Sequence, residues 1–204
     1  MTHTPADSSA PGAPGVSEED TAAIAAQLGR VPRGLRAVAH RCPCGLPDVV
    51  ETAPRLEDGT PFPTLYYLTC PRAASAIGTL EADGLMKQQT ARLAEEPELA
   101  AGYRRAHEDY LARRDAIEVL EGFPSAGGMP DRVKCLHVLV GHSLAAGPGV
   151  NPLGDEALAE LPEWWRKGPC VRAGGTVAGD TGAEGTGAED TGDDNGTDSQ
   201  GDQQ

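Results

Sequence analysis

The sequence is poor in aromatic residues, carries no surplus of basic residues and contains no long apolar run. Aromatic side chains make up only 4% of the 204 residues. No segment approaches the roughly 20 consecutive apolar residues that a membrane-spanning helix needs, so we expect no membrane association. The first residues also lack the basic and apolar regions of a secretory signal. We therefore expect a cytoplasmic protein.

Acidic residues outnumber basic residues, and the surplus is concentrated at the two ends of the chain. The formal net charge is −14, from 31 acids and 17 bases. Residues 1–20 hold four of the acids and residues 173–204 hold eight, with no Lys or Arg in either segment. Between these ends, 19 acids face all 17 bases. Because nucleic-acid binders need a basic patch or stripe, we expect no nucleic-acid partner.

The composition predicts one folded domain between two disordered tails. Residues 1–16 are a mixture of Pro, Ala, Gly and Ser, and residues 173–204 form an acidic segment rich in Gly, Thr, Asp and Glu with an imperfect five-residue repeat. Neither can bury enough apolar surface to offset the entropy lost on ordering. Residues 17–172 are the remaining single domain, which we predict to be α+β.

The patterns within residues 17–172 predict a small three-stranded antiparallel sheet packed against a helical bundle. A capping box at Ser17 predicts a helix through Leu28. Apolar alternation and β-branched or aromatic runs predict the three strands, at 35–40, 49–53 and 64–69. Pro71, preceded by Cys70 as N-cap, predicts the next helix. Further helices are predicted from 85 to 94, from Pro97 to Leu120, over Asp131–Ala146 and after a capping Asp155.

The cysteines and histidines are the candidate site residues. Structural zinc is commonly held by four Cys or by Cys with His, and the candidate metal ligands are Cys42, Cys44, Cys70, Cys135, His137 and His142. Two spaced CxxC pairs would be a specific signal, whereas this chain has one C-x-C and scattered partners. The alternative is that these are buried thiols without a ligand. Cys170, in the last predicted ordered segment, is left out of the site.

The predicted topology suggests how these ligands would meet. In a meander of three strands the first and third run parallel, so Cys42 and Cys70 are expected at the same end of the sheet. The central helix must cover the sheet to bury its apolar stripe, and its N-terminal half carries Cys135. We therefore expect Cys42, Cys70 and Cys135 to converge, with His137 or His142 as a fourth zinc ligand if Cys44 is not used.

A second hypothesis makes one cysteine a nucleophile. Cys70 at a helix N-terminus would feel the dipole that stabilises a thiolate, and Cys135 is the other candidate. His40, His137 or His142 could serve as the base. Cys135 and His142 are about 10 Å apart along a helix axis, too far for direct pairing. The sequence thus leaves two functions open: binding of a partner protein, small ligand or metal, or catalysis through a nucleophilic cysteine.

Three stretches carry a resemblance to a known family. They are RCPCGLPDVVETAPRLEDGTPFPTLYYLTCP, AAGYRRAHEDYLARRDAI and SAGGMPDRVKCLHVLVGHSLAAGPGVNPLGDEAL. The chain resembles the actinobacterial family called domain of unknown function 501 over roughly Ala23 to Trp165. That family has no established activity. Its members are often encoded beside a septum formation initiator and an exopolyphosphatase, which implies a cell-division link by association only. The resemblance also implies Asn as an alternative at Cys44.

Overall fold

The computed structural model describes residues 15–172, in which six helices surround a three-stranded antiparallel sheet, so the predicted α+β class is confirmed. The predicted tails, apart from residues 15 and 16, lie outside this range. No helix within it combines the length and apolar character needed to span a membrane. In chain order the elements are α1 (Glu18–Leu28), β1 (Leu35–Arg41), β2 (Pro47–Thr52), β3 (Tyr66–Leu68), α2 (Pro71–Ala82), α3 (Leu85–Glu95), α4 (Pro97–Asp115), α5 (Leu136–Ala146) and α6 (Pro152–Glu160).

The sheet is a meander with strand order β1-β2-β3 and both pairings antiparallel, as the apolar alternation predicts. Val50 of the central strand pairs with Val38 on one side and with Tyr67 on the other. Successive side chains of a strand point to opposite faces. Val49 accordingly belongs to the main core, whereas Val50 belongs to a smaller cluster with Ile24 of α1. The central strand is therefore buried on both faces, with α1 on one side of the sheet and α5 on the other.

Helix α5 packs against the sheet, mainly against β3. A Cβ atom at Gly141 would lie 3.2 Å from the carbonyl oxygen of Tyr66, so the missing side chain allows the helix to approach the strand backbone. Leu136, Leu139 and Val140 of the same helix are buried in the main core. Burial of this apolar face agrees with the periodicity in the sequence.

The predicted start of the central helix at Asp131 is wrong, because α5 begins at Leu136. In a helix from Asp131, the Leu136 amide would bond to the Arg132 carbonyl. Instead that carbonyl accepts the Tyr103 hydroxyl, at 3.4 Å, and the Leu136 amide donates to the Glu81 carboxylate, at 2.7 Å. The Lys134 amide bonds to the Gly127 carbonyl, at 2.7 Å. Residues 127–131 therefore form turns, residues 132–134 have no regular secondary structure, and Cys135 becomes the N-cap of α5.

Two other predicted helix ends also differ from the structure. Helix α4 ends at Asp115 rather than at Leu120. Helix α6 begins at Pro152, because the Asn151 side chain accepts the Gly154 amide at 3.1 Å and so acts as the N-cap. Asp155, the predicted cap, lies inside the helix and accepts the Gly149 amide of the preceding turn at 2.7 Å. Both acceptors lie in the GVNPLGD stretch, which explains why sequence alone did not separate them.

Candidate functional site

Cys135, His137 and Glu81 form a cluster where the start of α5 meets the last turn of α2. Each offers one ligand atom, and these atoms all lie within 4.8 Å of one another. The Glu81 Oε1 atom accepts the Leu136 amide, at 2.7 Å, and lies 3.3 Å from Nδ1 of His137. A carboxylate at a helix N-terminus is stabilised by the exposed amides and the helix dipole. The first turn of α5 therefore holds Glu81 beside the thiol and the imidazole.

The second ring nitrogen of His137 is also positioned. Its Nε2 atom lies 3.2 Å from the carbonyl oxygen of Ala74. A carbonyl only accepts, so Nε2 must carry the hydrogen and donate it. Nδ1 then faces the Glu81 carboxylate and the Cys135 thiol. The backbone of α2 thus fixes the orientation of the ring and leaves Nδ1 for the chemistry of the cluster.

The electrostatics of the cluster favour a thiolate and an imidazolium. The hydrogen bond with Cys135, reinforced by Glu81, raises the pKa of His137 to about 9. Burial acts to raise the pKa of Cys135, but the hydrogen bonds from His137 and from the Val138 amide outweigh it and leave that pKa below its ordinary value. A thiol whose pKa is lowered beside a histidine is a candidate ligand for a cation or a candidate nucleophile.

The cluster can be reached from outside the protein. The side chains of His137 and Glu81 are 33% and 23% exposed, and Cys135 is half-buried. Glu81 also lines an open groove on the surface of α3. The other lining residues are Gly84, Met86, Lys87, Thr90, Ala91 and Val133. A small molecule in this groove would therefore lie next to the carboxylate of the cluster.

Cys42 and Cys44 lie apart from the cluster, in the tight turn between β1 and β2. The Cys42 amide donates to the Leu46 carbonyl at 3.0 Å. Burial raises the pKa of Cys42 to about 12, with Cys44 as its hydrogen-bonded neighbour. His40, a candidate base, has its Nδ1 atom 2.7 Å from the buried carboxylate of Asp48. These groups are partnered within the hairpin.

Cys70 is buried at the start of α2 and shares a hydrogen bond with Cys170, the residue that sequence analysis left out. Glu81 is the eleventh residue of α2, which separates it from Cys70 by about 16 Å along the helix. Cys135 contacts Glu81 and is therefore near the opposite end of α2. Among residues 15–172 the group of three ligands that forms is Glu81, Cys135 and His137. The predicted convergence of Cys42 and Cys70 with Cys135 does not occur there.

His142 is a fully buried core residue rather than a neighbour of Cys135. Its Nδ1 lies 3.4 Å from the side-chain amide nitrogen of Asn151, which donates to it, so Nε2 donates to Asp109 at 2.9 Å. The rings of Tyr66 and Tyr110 lie against it, with centroids 6.0 and 5.3 Å away. Burial lowers the pKa of His142. This histidine is a satisfied structural group that joins α5 to α4 and to the turn before α6.

The profile of the family described as protein of unknown function (DUF501) matches residues 38–159. The chain belongs to this family. The match confirms the resemblance seen in the sequence, and it includes all three residues of the cluster. No curated protein and no solved structure matches the chain.

In this DUF501 chain, sequence analysis found two members of the cluster and missed the third. The sequence marks Cys135 and His137 as candidate ligands, whereas Glu81 lies in the helix that begins at Pro71 and matches no ligand pattern. One local signal was present, because a carboxylate in the last turn of a helix opposes that helix's dipole. In the structure the N-terminus of α5 compensates for this, since the Leu136 amide binds Glu81. An acid at an unfavourable helix position can therefore indicate a partner elsewhere in the fold.

Proposed function

We propose that this protein binds a divalent metal ion of the zinc class through Glu81, Cys135 and His137. One observation carries the proposal: the three ligand atoms lie within 4.8 Å of one another. Thiolate sulfur, imidazole nitrogen and carboxylate oxygen are the three ligand types that zinc takes in proteins. Zinc bonds of about 2.0–2.3 Å require ligand atoms roughly 3–4 Å apart, so small side-chain rotations would suffice.

The hydrogen bonds around the cluster support this function. A metal-binding histidine commonly donates its other ring nitrogen to a backbone carbonyl, and Nε2 of His137 has the Ala74 carbonyl at 3.2 Å. Glu81 receives the Leu136 amide on Oε1, which leaves Oε2 for a metal bond. The proton on Nδ1 would leave when a metal binds, because ligation needs the neutral imidazole.

Three protein ligands would leave one position of a tetrahedral ion for a water molecule or a small ligand. The partial exposure of Glu81 and His137 supports access to that position. The groove on α3 supplies a route, and the Lys87 and Thr90 side chains along it offer polar groups to a ligand. The binding function therefore extends from a metal to a small molecule held beside it.

Metal analysis of the tag-free full-length chain tests the proposal. We expect one zinc per chain and, after exchange with cobalt, an absorption band from thiolate-to-metal charge transfer. Cys135→Ser should remove the band and most of the bound metal. Cys44→Ser is the matched control, because Cys44 is half-buried in the hairpin and outside the cluster. Equal metal content in the two variants, or none in the unaltered chain after zinc is supplied, would contradict the proposal.

A second candidate function is catalysis through Cys135 as a nucleophile. It is favoured by the contact between the thiol and His137, a candidate base whose other ring nitrogen, Nε2, is held by the Ala74 carbonyl at 3.2 Å. In metal-free protein, iodoacetamide should then modify Cys135 about tenfold faster than Cys44 at neutral pH. Added zinc should protect Cys135 if the metal site exists. Fast modification without any protection would favour the nucleophile over the metal.

A further inference from the structure

Cys70 and Cys170 bring two thiols from distant parts of the chain into direct contact. Cys70 is the N-cap of α2, and Cys170 lies in the segment after α6. They are 1% and 3% exposed, belong to the same core cluster and share a hydrogen bond. Both are free thiols. A disulfide, about 2.05 Å long, would draw these hydrogen-bonded sulfurs closer together.

The surroundings give the two sulfurs different roles. The Gln27 side-chain amide donates to the Cys170 sulfur at 3.3 Å and also donates to the Pro47 carbonyl at 2.7 Å. Cys170 therefore accepts hydrogen bonds from both Gln27 and Cys70, and this lowers its pKa, whereas the pKa of Cys70 is raised because it acts as the donor and is buried. Cys170 is thus the better nucleophile of the pair, and Cys70 holds the proton.

We propose that Cys70 and Cys170 are a redox-active pair that a low-molecular-weight disulfide converts into an intramolecular disulfide. The Cys170 thiolate attacks one sulfur of the oxidant, whose other sulfur leaves as a thiolate. Cys70 then loses its proton and attacks the Cys170 sulfur of the mixed disulfide, which releases the second small thiol. The protein loses two electrons and two hydrogens, and the oxidant is reduced to two thiols.

Oxidation of this buried pair requires local opening of the segment that carries Cys170. Two residues before Cys170, the Gly168 carbonyl accepts the Arg72 guanidinium at 2.9 Å, so the segment after α6 contacts the first turn of α2. Local opening of this segment would expose Cys170 without unfolding the sheet. After oxidation the bond would fasten the segment to the first turn of α2 and close a loop of about 100 residues. We expect the thermal midpoint to rise by about 10 °C.

Oxidation of the full-length chain in glutathione redox buffers tests this inference. Samples are quenched with acid, and their peptides are mapped by mass spectrometry without reduction. We expect a linked pair of peptides carrying Cys70 and Cys170, with the loss of two hydrogens, and full reversal by reduced glutathione. Cys170→Ser should abolish the link, and Cys42→Ser together with Cys44→Ser should leave it unchanged.

Two results would overturn the inference. One is oxidation of a different pair, such as Cys42 with Cys44, while Cys70 and Cys170 stay reduced. The other is a Cys70 to Cys170 link that forms only in denaturant and never in the native chain. Both are measured on the unaltered protein, so the test does not depend on whether a serine variant folds. The proposed metal site uses Cys135 and neither Cys70 nor Cys170, so metal analysis tests that function independently of this inference.

Discussion

Replacement of Gly154 by alanine should destabilise the fold, although alanine is the better helix former. Gly154 lies within α6. A Cβ atom there would overlap the Leu139 carbonyl oxygen and the Ser143 hydroxyl of α5, and it would lie 2.9 Å from the Leu139 carbonyl carbon. The missing side chain therefore sets the spacing between the two helices. Gly78 in α2 is the matched control, because a Cβ atom there has nothing within 4 Å.

The gain in helix propensity and the cost of overpacking have opposite signs, so their sizes decide the outcome. Gly to Ala in a helix interior contributes roughly 0.5–1 kcal/mol of stability. Overpacking costs about 1–3 kcal/mol, and the upper end applies here because one overlapping atom belongs to a backbone that cannot rotate away. Gly154→Ala should therefore lose about 2 kcal/mol of unfolding free energy. Gly78→Ala should gain about 0.5–1 kcal/mol, because only the helix-propensity gain applies there.

Thermal and urea unfolding followed by circular dichroism measures both variants. For a domain of this size, 2 kcal/mol corresponds to a fall of about 4–8 °C in the thermal midpoint. Gly78→Ala should raise the midpoint by about 1–4 °C, which checks that the propensity gain is present in this protein. A higher midpoint for Gly154→Ala would refute the argument, since it would mean that α6 can move away from α5 at little cost.

Three further predictions concern two buried core residues and one residue of the cluster. His142→Gln should flatten the pH dependence of stability. His142 lies beside Asp109 and Arg113, and burial lowers its pKa in the folded state. Its contribution to the free energy of unfolding is therefore complete above the ordinary pKa of 6.5 and is lost by up to about 1.4 kcal/mol per pH unit as the pH falls below that value. Urea midpoints that shift equally between pH 7 and pH 5.5 in the variant and in the unaltered protein would contradict this. Tyr110→Phe should cost about 1–3 kcal/mol, because it leaves the buried Leu65 amide, 2.6 Å from the hydroxyl, without an acceptor; an unchanged midpoint would argue against that bond. Glu81→Gln should weaken metal binding at least tenfold while the chain stays folded, as measured by competition with a chelator.

Local signals were enough to predict most of the elements. Ser17 caps α1 at the predicted residue, since its hydroxyl accepts the Asp20 amide at 3.0 Å. Pro71 begins α2 with Cys70 as N-cap, because proline has no amide hydrogen and suits the first helical turn. Strands were also recognisable, because each of the three has an alternating, β-branched or aromatic pattern. These signals depend on neighbours within a few residues.

The start of α5 could not be predicted in the same way. The signals at Pro130 and Asp131 favour a helix start, yet the Val133 amide donates to the Thr90 hydroxyl of α3, at 3.0 Å, and the Leu136 amide donates to Glu81. These acceptors are 43 and 55 residues away in the chain. Hydrogen bonds to α2 and α3 thus replace the first helical turn, and only the folded chain brings those acceptors near.

By itself, the sequence determined the α+β class, the order of the strands and the residue types able to form a site, because each of these follows from composition and short-range periodicity. The tertiary structure decided which of those residues meet. It joined Cys135 and His137 to Glu81, paired Cys70 with Cys170, and buried His142 against Asp109. Every one of these pairings except Cys135 with His137 spans more than 30 residues. Such contacts depend on how the helices pack across the sheet, and the spacing of residues along the chain does not determine that packing.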